Sequence, residues 1–278
     1  MSLEKYALIG YPLGHSMSPF IHGELFKLSS RTADYRLLEI SPESLAVNIG
    51  RLREYAGFNV TIPFKRAIIP YLDALDGRAA FYGSVNTVSG GTLLKGYNTD
   101  ADGFLTALRL NGIKPAGRVV VCGAGGAGRM MAYELAGMGC KVTVAVRRES
   151  LVGAVKLRDE ISAAINGAAV SAEVLDDLHS DINLLCNATP VGMFPHVNGM
   201  PVLRKVLDST EAVFDAVYNP QETELIKSAR KCGTVVCGGM PMLVWQAVYA
   251  HKIWYGGEFA EKAVSEIIES ANSQMRVM

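Results

Sequence analysis

The sequence predicts two α/β domains, each built around a largely parallel β-sheet. Short apolar runs alternate with amphipathic stretches of helical length along most of the chain, the pattern of repeated strand–helix units. In the second half the apolar runs are almost continuous, as expected for strands buried on both faces. With 278 residues, the chain can build two hydrophobic cores. We expect one domain over residues 1–100 and 240–278 and the other over residues 101–239.

Composition excludes several classes of protein. Lys plus Arg and Asp plus Glu each total 27, so no net charge draws the chain to nucleic acid or to an anionic membrane. No apolar run approaches the roughly 20 residues that span a bilayer, and the N-terminus lacks a secretory signal. Five cysteines without a Cys-x-x-Cys pair lie mostly in or beside apolar runs, so we interpret them as reduced core residues of a cytoplasmic protein.

The first domain is predicted to hold a mixed, mostly parallel sheet. A strand over residues 6–9 leads to a helix opened by Ser18-Pro19, in which Ser18 can cap the helix and Pro19 suits its first turn. A Ser-Gly-Gly turn at residues 89–91 joins two short strands into a hairpin. The predicted strands are 6–9, 35–40, 57–62, 85–88 and 93–97, with helices from residues 18, 41 and 63 and over 99–112.

A polar site is indicated between Phe58 and Lys65. Apolar residues alternate with Asn59 and Thr61 up to Ile62, so we expect a half-buried strand with one polar face. A proline then ends the strand and begins a helix, so Lys65 stands in a first turn where the helix dipole disfavours a cation. A lysine there, beside two polar side chains, indicates a site, and a solvated lysine is the alternative.

The second domain is predicted to be a doubly wound sheet of six strands. These strands cover residues 119–122, 142–146, 170–174, 182–186, 213–217 and 235–237. Helices over 242–255 and 259–272 follow the last strand. We expect them to pack on the first domain, which would place a cleft between the two domains.

A glycine-rich turn follows the first of these strands and opens a helix. It reads Gly123-Ala-Gly125-Gly126-Ala127-Gly128, and the strand–turn–helix context makes it a Rossmann dinucleotide-binding fingerprint. Gly123 permits the tight turn, Gly125 lets backbone approach a pyrophosphate, and Gly128 permits close helix–strand packing. The helix N-terminus offers free N–H groups to phosphates. A glycine-rich turn without a ligand is the alternative.

The end of the next strand bears on the choice between NADP and NAD. An NAD site usually places an acidic residue there, whereas this chain has Arg147 and Arg148, which suit a 2′-phosphate. These residues favour NADP. Glu149 follows them and keeps an NAD site as one alternative. The other alternative is that the two arginines are simply solvated.

Seven ordered stretches resemble motifs of the shikimate dehydrogenase family along nearly the whole chain. They are GYPLGHSMSP (residues 10–19), NVTIPFK (59–65), GSVNT (83–87), GYNTD (96–100), NATPVGM (187–193), DAVYNPQET (215–223) and GGMPMLVWQ (238–246). His22, four residues beyond Ser18, goes with the first of them. The resemblance implies reversible, NADP-linked reduction of 3-dehydroshikimate to shikimate in chorismate and aromatic amino-acid biosynthesis. It also implies that the first domain binds substrate and the second the dinucleotide.

The resemblance further implies a role for individual residues. Lys65 and Asp100 would be the catalytic pair. The substrate carboxylate and hydroxyls would be held by Ser16, Ser18, Thr61, Asn86, Asp100, Tyr218 and Gln246. The cofactor would contact Gly123, Gly125, Gly126, Ala127, Gly128, Arg147, Arg148, Thr189, Met193 and Gly239.

The implied chemistry suits these residue types. Hydride transfer to a ketone develops an alkoxide, which needs a nearby donor or proton. Lys65 can meet that need as proton donor or as electrostatic anchor, and the sequence leaves both open. Asp100 can orient the ammonium and accept a substrate hydroxyl.

Plainer roles stand beside these assignments. Ser16 and Ser18 can serve as helix caps, as can Asn98-Thr99-Asp100, and Tyr218 and Gln246 can be ordinary half-buried residues. His15 and His22 are badly spaced for a metal, so we expect none. The chain departs from the family where Gly23 replaces a common Asn. It also reads Val146-Arg147-Arg148 where Asn-Arg-Thr is frequent, which weakens the case for NADP.

Two other functions remain open. A quinate/shikimate dehydrogenase using NAD or NADP would share the motifs, although two serines at 16 and 18 favour shikimate. A non-catalytic dinucleotide-binding sensor would share the fold but has no need of the Lys65–Asp100 pair. The only partner expected is the small-molecule substrate, with the chain acting as a monomer or homodimer. Fusion to another enzyme of the pathway is a further expectation from the family.

Overall fold

A computed structural model of the chain describes residues 3–14, 16–179 and 181–275. Its contacts divide it into two compact units, one formed by Met1–Gly103 with Val244–Gln274 and the other by Phe104–Leu243. The α/β class in two units is confirmed. The chain changes unit three to four residues later than predicted at each crossing. The assignment of substrate to one unit and cofactor to the other stays a prediction.

The first unit contains a mixed six-stranded sheet. Its strands are β1 (Glu4–Gly10), β2 (Ala33–Glu39), β3 (Gly57–Val60), β4 (Ala74–Leu75), β5 (Thr87–Ser89) and β6 (Lys95–Tyr97). They lie in the order β2-β1-β3-β5-β6-β4, and β5 alone runs antiparallel to both of its neighbours. The predicted hairpin is therefore confirmed as β5–β6, with shorter strands than expected.

Helices connect and follow the strands of this sheet. The early ones are α1 (Ser18–Leu28), α2 (Leu45–Leu52), α3 (Phe64–Ala67), α4 (Gly77–Tyr82) and α5 (Asp100–Leu110). The late ones are α9 (Gly239–Tyr255) and α10 (Glu261–Met275), and α5 and α9 each run from one unit into the other. Apolar side chains of β1, β3 and α2 form the centre of the core. The predicted Ser18 cap on α1 is wrong, because Met17 holds the N-cap position and Ser18 is the first residue of the helix.

The prediction of a half-buried strand at 57–62 is also wrong. All four residues of β3 are buried, and the polar side chain of Asn59 is only 4% exposed. Ile62, predicted on the apolar face, lies beyond the end of β3 and is 73% exposed. The reason is that both faces of β3 are covered, since successive side chains point to opposite faces and all four are buried. Asn59 therefore needs polar partners inside the protein.

The second unit is a doubly wound parallel sheet, as predicted. Its strands are β7 (Arg118–Cys122), β8 (Lys141–Val146), β9 (Val170–Val174), β10 (Ile182–Asn187), β11 (Thr210–Asp215) and β12 (Val235–Cys237). Its helices are α6 (Gly126–Gly137), α7 (Leu151–Ala164) and α8 (Glu224–Lys231). The order β12-β11-β10-β7-β8-β9 is that of a Rossmann fold, with its switch point between β7 and β10.

One strand of this sheet lies earlier in the chain than predicted. The cysteines of the other strands are buried, as expected. Strand β11 ends at Asp215, whereas the apolar run had placed it at 213–217. Cys122, Cys186 and Cys237 are buried and unpaired, and burial raises the pKa of Cys122 and Cys237 to about 12. In the described part of the chain, no helix combines the length and the apolar character needed to cross a membrane.

Candidate active site

The Lys65 ammonium and the Asp100 carboxylate form an ion pair in the first unit. Lys65 lies in the short helix α3, and Asp100 is the first residue of α5. Lys65 Nζ lies 2.6 Å from Asp100 Oδ2, and the two side chains are 19% and 9% exposed. The hydrogen bond between them is charge-assisted, and the pair is largely shielded, although about a fifth of the Lys65 side chain stays exposed.

Asn86 fixes the other side of the Asp100 carboxylate. Its Nδ2 donates to Asp100 Oδ1 at 2.8 Å and also lies near Thr99 Oγ1 and Gln246 Oε1, at 3.0 and 3.3 Å. Its Oδ1 accepts from the Thr99 backbone N–H at 2.7 Å. One amide thus joins three predicted site residues, namely Asn86 itself, Asp100 and Gln246. The Thr99 side chain takes part in this network. The network therefore accounts for the Asn-Thr-Asp sequence at residues 98–100 without a role as a helix cap.

The hydrogen bonds continue from Asn86 toward the start of α1. Asn59 Nδ2 donates to Thr87 Oγ1 at 3.1 Å, and Tyr35 Oη donates to Asn59 Oδ1 at 2.8 Å. Burial raises the pKa of Tyr35 well above its usual value, and a hydrogen bond with Ser18 opposes that rise. Neither Tyr35 nor a partner for Asn59 was predicted from the sequence. An amide inside an apolar run was the signal that could have found this network.

Two further predicted substrate residues of the first unit, Ser16 and Thr61, lie in loops, and Ser18 opens α1, where it is buried. Ser16 Oγ accepts from the backbone N–H of Ser18 at 3.2 Å. Thr61 is half-buried and its backbone N–H donates to Ile9 O at 2.9 Å. His15, quoted in the first motif, lies outside the described residues. Tyr218, the last predicted substrate residue, is half-buried and belongs to the second unit, where burial raises its pKa.

A chain of hydrogen bonds with a defined direction lies behind α1 in the first unit. Ser29 Oγ donates to Leu25 O at 3.0 Å, so it must accept from Tyr255 Oη, 3.1 Å away. The Tyr255 oxygen then accepts from His251 Nδ1–H at 2.5 Å. His251 Nε2 is therefore unprotonated and accepts from His22 Nδ1–H at 2.8 Å.

Both histidines of this chain are fully buried and neutral. Burial lowers the pKa of His22 well below its usual value and that of His251 to about 3, with the Arg31 charge adding to the second shift. Within residues 3–14, 16–179 and 181–275, no three His, Cys, Asp or Glu side chains are grouped as metal ligands would be. That the protein needs no metal stays a prediction.

The glycine-rich turn of the second unit fits a dinucleotide pyrophosphate. Gly123 has φ +102°, and a Cβ on Gly128 would lie 2.1 Å from Gly123 O, so neither position readily accepts a side chain. A Cβ on Gly125 would meet no atom within 4 Å, so the turn is open on that side. Helix α6 begins at Gly126, where its first N–H groups have no acceptor inside the helix.

Arg147 and Arg148 follow β8 and are free to take a new partner. Arg147 Nε lies 3.2 Å from Glu149 Oε1 and Arg148 Nη2 lies 3.9 Å from Asp177 Oδ2. Both arginine side chains are 75% exposed, and ion pairs of this kind contribute about 0–1 kcal/mol. A phosphate can displace them at small cost. The carboxylates also leave NAD as an alternative.

The other predicted cofactor residues belong to segments at the ends of β10 and β11. Thr189 donates its backbone N–H and its hydroxyl to Asn187 Oδ1, at 3.0 and 2.7 Å. Met193 is exposed in the same segment. Gly239 opens α9, and its N–H donates to Val217 O at 3.2 Å. The hydrogen bonds of these residues do not join them directly to one another. Their segments are joined by a network that was not predicted from the sequence.

A Rossmann sheet with an open glycine-rich turn and a shielded Lys–Asp pair place the chain among the dinucleotide-dependent oxidoreductases. The family model described as "Shikimate dehydrogenase substrate binding domain" matches residues 8–88. Two proteins named shikimate dehydrogenase (NADP(+)) are similar to this chain. The one from Moorella thermoacetica is 38% identical over 95% of this chain and 92% of its own length; that from Halothermothrix orenii is 40% identical over 92% of each. The chain belongs to the shikimate dehydrogenase family.

Solved structures agree with that family membership. Shikimate 5-dehydrogenase from Thermus thermophilus, in complex with NADP(H) and shikimate, aligns with a TM-score of 0.87 at 32% identity, over 97% of this chain and 100% of that one. A chorismate mutase/shikimate 5-dehydrogenase fusion protein from Clostridium acetobutylicum aligns with a TM-score of 0.87 at 28% identity, over 100% of each chain. The predicted family and fold are confirmed.

Proposed function

We propose that the protein is an NADP-dependent shikimate dehydrogenase that reversibly reduces 3-dehydroshikimate to shikimate. The observation that carries the proposal is the Lys65–Asp100 pair, held by Asn86, in a chain of this family. The relatives' names support both the substrate and the cofactor. The pair also argues against a non-catalytic sensor, since dinucleotide binding alone has no use for it.

Lys65 and Asp100 divide the catalytic work between them. As the substrate ketone becomes an alkoxide, the Lys65 ammonium stabilises the developing charge or delivers a proton to it. Asp100 Oδ2 keeps the ammonium in place, while Asn86 keeps the carboxylate from turning. A substrate hydroxyl donates to the same carboxylate, which orients the ring against the lysine.

Neutral donors hold the rest of the substrate. The Ser16 and Ser18 hydroxyls bind the substrate carboxylate, and Thr61, Asn86 and Gln246 bind its hydroxyls; Tyr218 is assigned to the substrate by the family motif. Hydroxyl and amide groups recognise an anion without the tight ion pair that an arginine would form. That balance allows product to leave.

The glycine-rich turn and the two arginines bind the cofactor. NADPH, when bound, supplies the hydride. The N–H groups of Gly126, Ala127 and Gly128 face its pyrophosphate, and the Arg147 and Arg148 guanidinium groups bind its 2′-phosphate. Thr189, Met193 and Gly239 line the nicotinamide side.

Steady-state oxidation of shikimate and of quinate, each with NADP and with NAD, tests the proposal through nicotinamide absorbance. We expect turnover mainly with shikimate and NADP. Comparable rates with quinate, or a preference for NAD, would move the protein to the quinate/shikimate alternative. No turnover in any combination would leave the sensor. A cytoplasmic location, the monomeric or dimeric state and fusion to another enzyme remain predictions.

A further inference from the structure

Three segments that carry predicted site residues are joined in the second unit. They are the 187–193 loop with Thr189 and Met193, the 215–220 loop with Tyr218, and the start of α9 with Gly239. Backbone hydrogen bonds link them, from Ala216 N to Asn187 O at 2.9 Å, from Phe194 N to Asn219 O at 2.9 Å and from Gly239 N to Val217 O at 3.2 Å. A displacement of one segment therefore shifts the others.

The Asp215 carboxylate lies at the centre of this junction. Asp215 is fully buried at the end of β11. Its Oδ1 accepts from Asn187 Nδ2 at 2.9 Å and from the Val217 N–H at 3.0 Å, and its Oδ2 accepts from Thr223 Oγ1 at 2.5 Å. Thr223 in turn caps α8 by accepting from Ile226 N at 3.2 Å.

The hydrogen-bond directions show why a carboxylate is needed here. The Val217 backbone N–H is a donor whatever the protonation state, and Asn187 presents its NH₂ because its oxygen must face the Thr189 N–H. Thr223 Oγ1 already accepts from Ile226 N and is left to donate its own hydrogen to Asp215. Burial raises the pKa of Asp215, and the hydrogen bonds from Thr223, Val217 and Asn187 oppose that rise because all three stabilise the charged carboxylate.

Through Asn187 the carboxylate sets the 187–193 loop. With Nδ2 turned to Asp215, Asn187 Oδ1 receives both the N–H and the hydroxyl of Thr189. Thr189 Oγ1 then accepts from the Val191 N–H at 3.2 Å, and the second Asn187 amide hydrogen points to Val191 O at 3.4 Å. The orientation of one amide thus holds the whole turn from Asn187 to Val191.

We propose that Asp215 is a positioning residue for cofactor binding, acting through Asn187 on Thr189 and through Val217 on the segment that carries Tyr218. The proposal rests on the proposed function, because Thr189 is assigned to the nicotinamide side only there. Asp215 itself touches neither substrate nor cofactor.

The test compares NADPH affinity, measured by fluorescence titration, in variants of the full chain: two single substitutions, the double substitution and a control. Asp215→Asn keeps the size but puts an NH₂ group against donors, and Asn187→Ala removes the amide that transmits the effect. We expect each to raise the NADPH dissociation constant on the order of tenfold, and the double variant to be no worse than either, because the two act on one loop.

Thr223→Val is the matched control. It removes a hydrogen bond from the same carboxylate on the side of α8 and leaves the link to Asn187 intact. We expect a lower melting temperature with an NADPH dissociation constant within about twofold of the parent. Equal weakening by Thr223→Val and Asp215→Asn would show a merely structural role and overturn the proposal.

The remaining outcomes are also decisive. Unchanged NADPH affinity in Asp215→Asn or in Asn187→Ala refutes the proposal. If Asp215→Asn does not fold, Asn187→Ala and its comparison with Thr223→Val still decide the matter. Failure of the parent chain itself to bind NADPH would refute the proposed function, and that result is distinguishable because it appears before any substitution.

Discussion

Acidification should destabilise the first unit through the buried His22–His251 pair. Both side chains are neutral in the folded protein, because burial lowers their pKa values, that of His251 to about 3. In the unfolded chain each titrates near the ordinary value of about 6.5. Below that pH the unfolded state binds two protons that the folded state does not. Stability is therefore complete above about pH 6.5 and falls as the pH decreases toward 3.

The size of this loss of stability follows from the difference between the folded and unfolded pKa values. One proton difference is worth about 1.4 kcal/mol per pH unit, so His251, whose pKa burial lowers to about 3, contributes a loss of about 2 kcal/mol between pH 7.5 and 5.0. Burial lowers the pKa of His22 as well, so its loss adds to this one in the same direction. Carboxylates titrate in the lower part of the same range, so the comparison must be made against a variant.

His251→Phe supplies that comparison. The new ring suits a site lined by Phe26, Trp254 and Phe259, and it removes one of the two titrating groups. The substitution leaves the His22 N–H without its acceptor, but the comparison uses only the dependence of the unfolding free energy on pH. We expect the loss between pH 7.5 and 5.0 to shrink by about 2 kcal/mol relative to the parent.

Urea unfolding followed by tryptophan fluorescence measures the effect in the correct unit. The chain has two tryptophans, Trp245 and Trp254, and both belong to the first unit. His179→Gln, an exposed site in the second unit, is the control and should leave the pH profile unchanged. A His251→Phe profile parallel to that of the parent would refute the assignment of two buried neutral histidines.

Three further outcomes test the site. Lys65→Ala should lower kcat by about 10²-fold or more, with little change in NADPH affinity; stopped-flow and titration data with an unchanged kcat would contradict the assignment. Arg147→Ala should raise the KM for NADP by about tenfold and leave that for NAD unchanged, since only NADP carries the 2′-phosphate. Gly128→Ala should abolish NADPH binding in a fluorescence titration, because its Cβ would lie 2.1 Å from Gly123 O. Gly137→Ala, which meets no atom within 4 Å at the other end of the same helix, should bind normally.

Sequence patterns predicted the second unit better than the first, for a physical reason. Strands buried on both faces require continuous apolar runs, so β7, β8, β9, β10 and β12 could be located within a residue or two. The two-residue strand β4 and the helix α4 were missed, because neither is long enough to show a period. Asn59 was placed on a solvent face because alternation cannot reveal that both faces of a strand are covered.

Motif residues could be named from the sequence, but their connections could not. Lys65 and Asp100 were predicted as a pair, and the structure places their charged atoms 2.6 Å apart. The links from Tyr35 to Asn59 and from Asn187 to Asp215 join residues 24 and 28 positions apart. Such links depend on which strands are neighbours, and no local pattern encodes that order.

The discontinuous first unit has a consequence for the order of events during synthesis. Helix α9 supplies Trp254, whose Nε1 donates to Val88 O at 3.0 Å, and Gln246, which reaches Asn86. Gly57 lacks a Cβ where one would lie 2.2 Å from the Trp254 ring, so the early strands are shaped for a helix that is translated much later. Residues 104–243 of the second unit form one continuous segment, which is synthesised before Gln246 and Trp254. The Lys65 site is thus completed only after that segment has been synthesised.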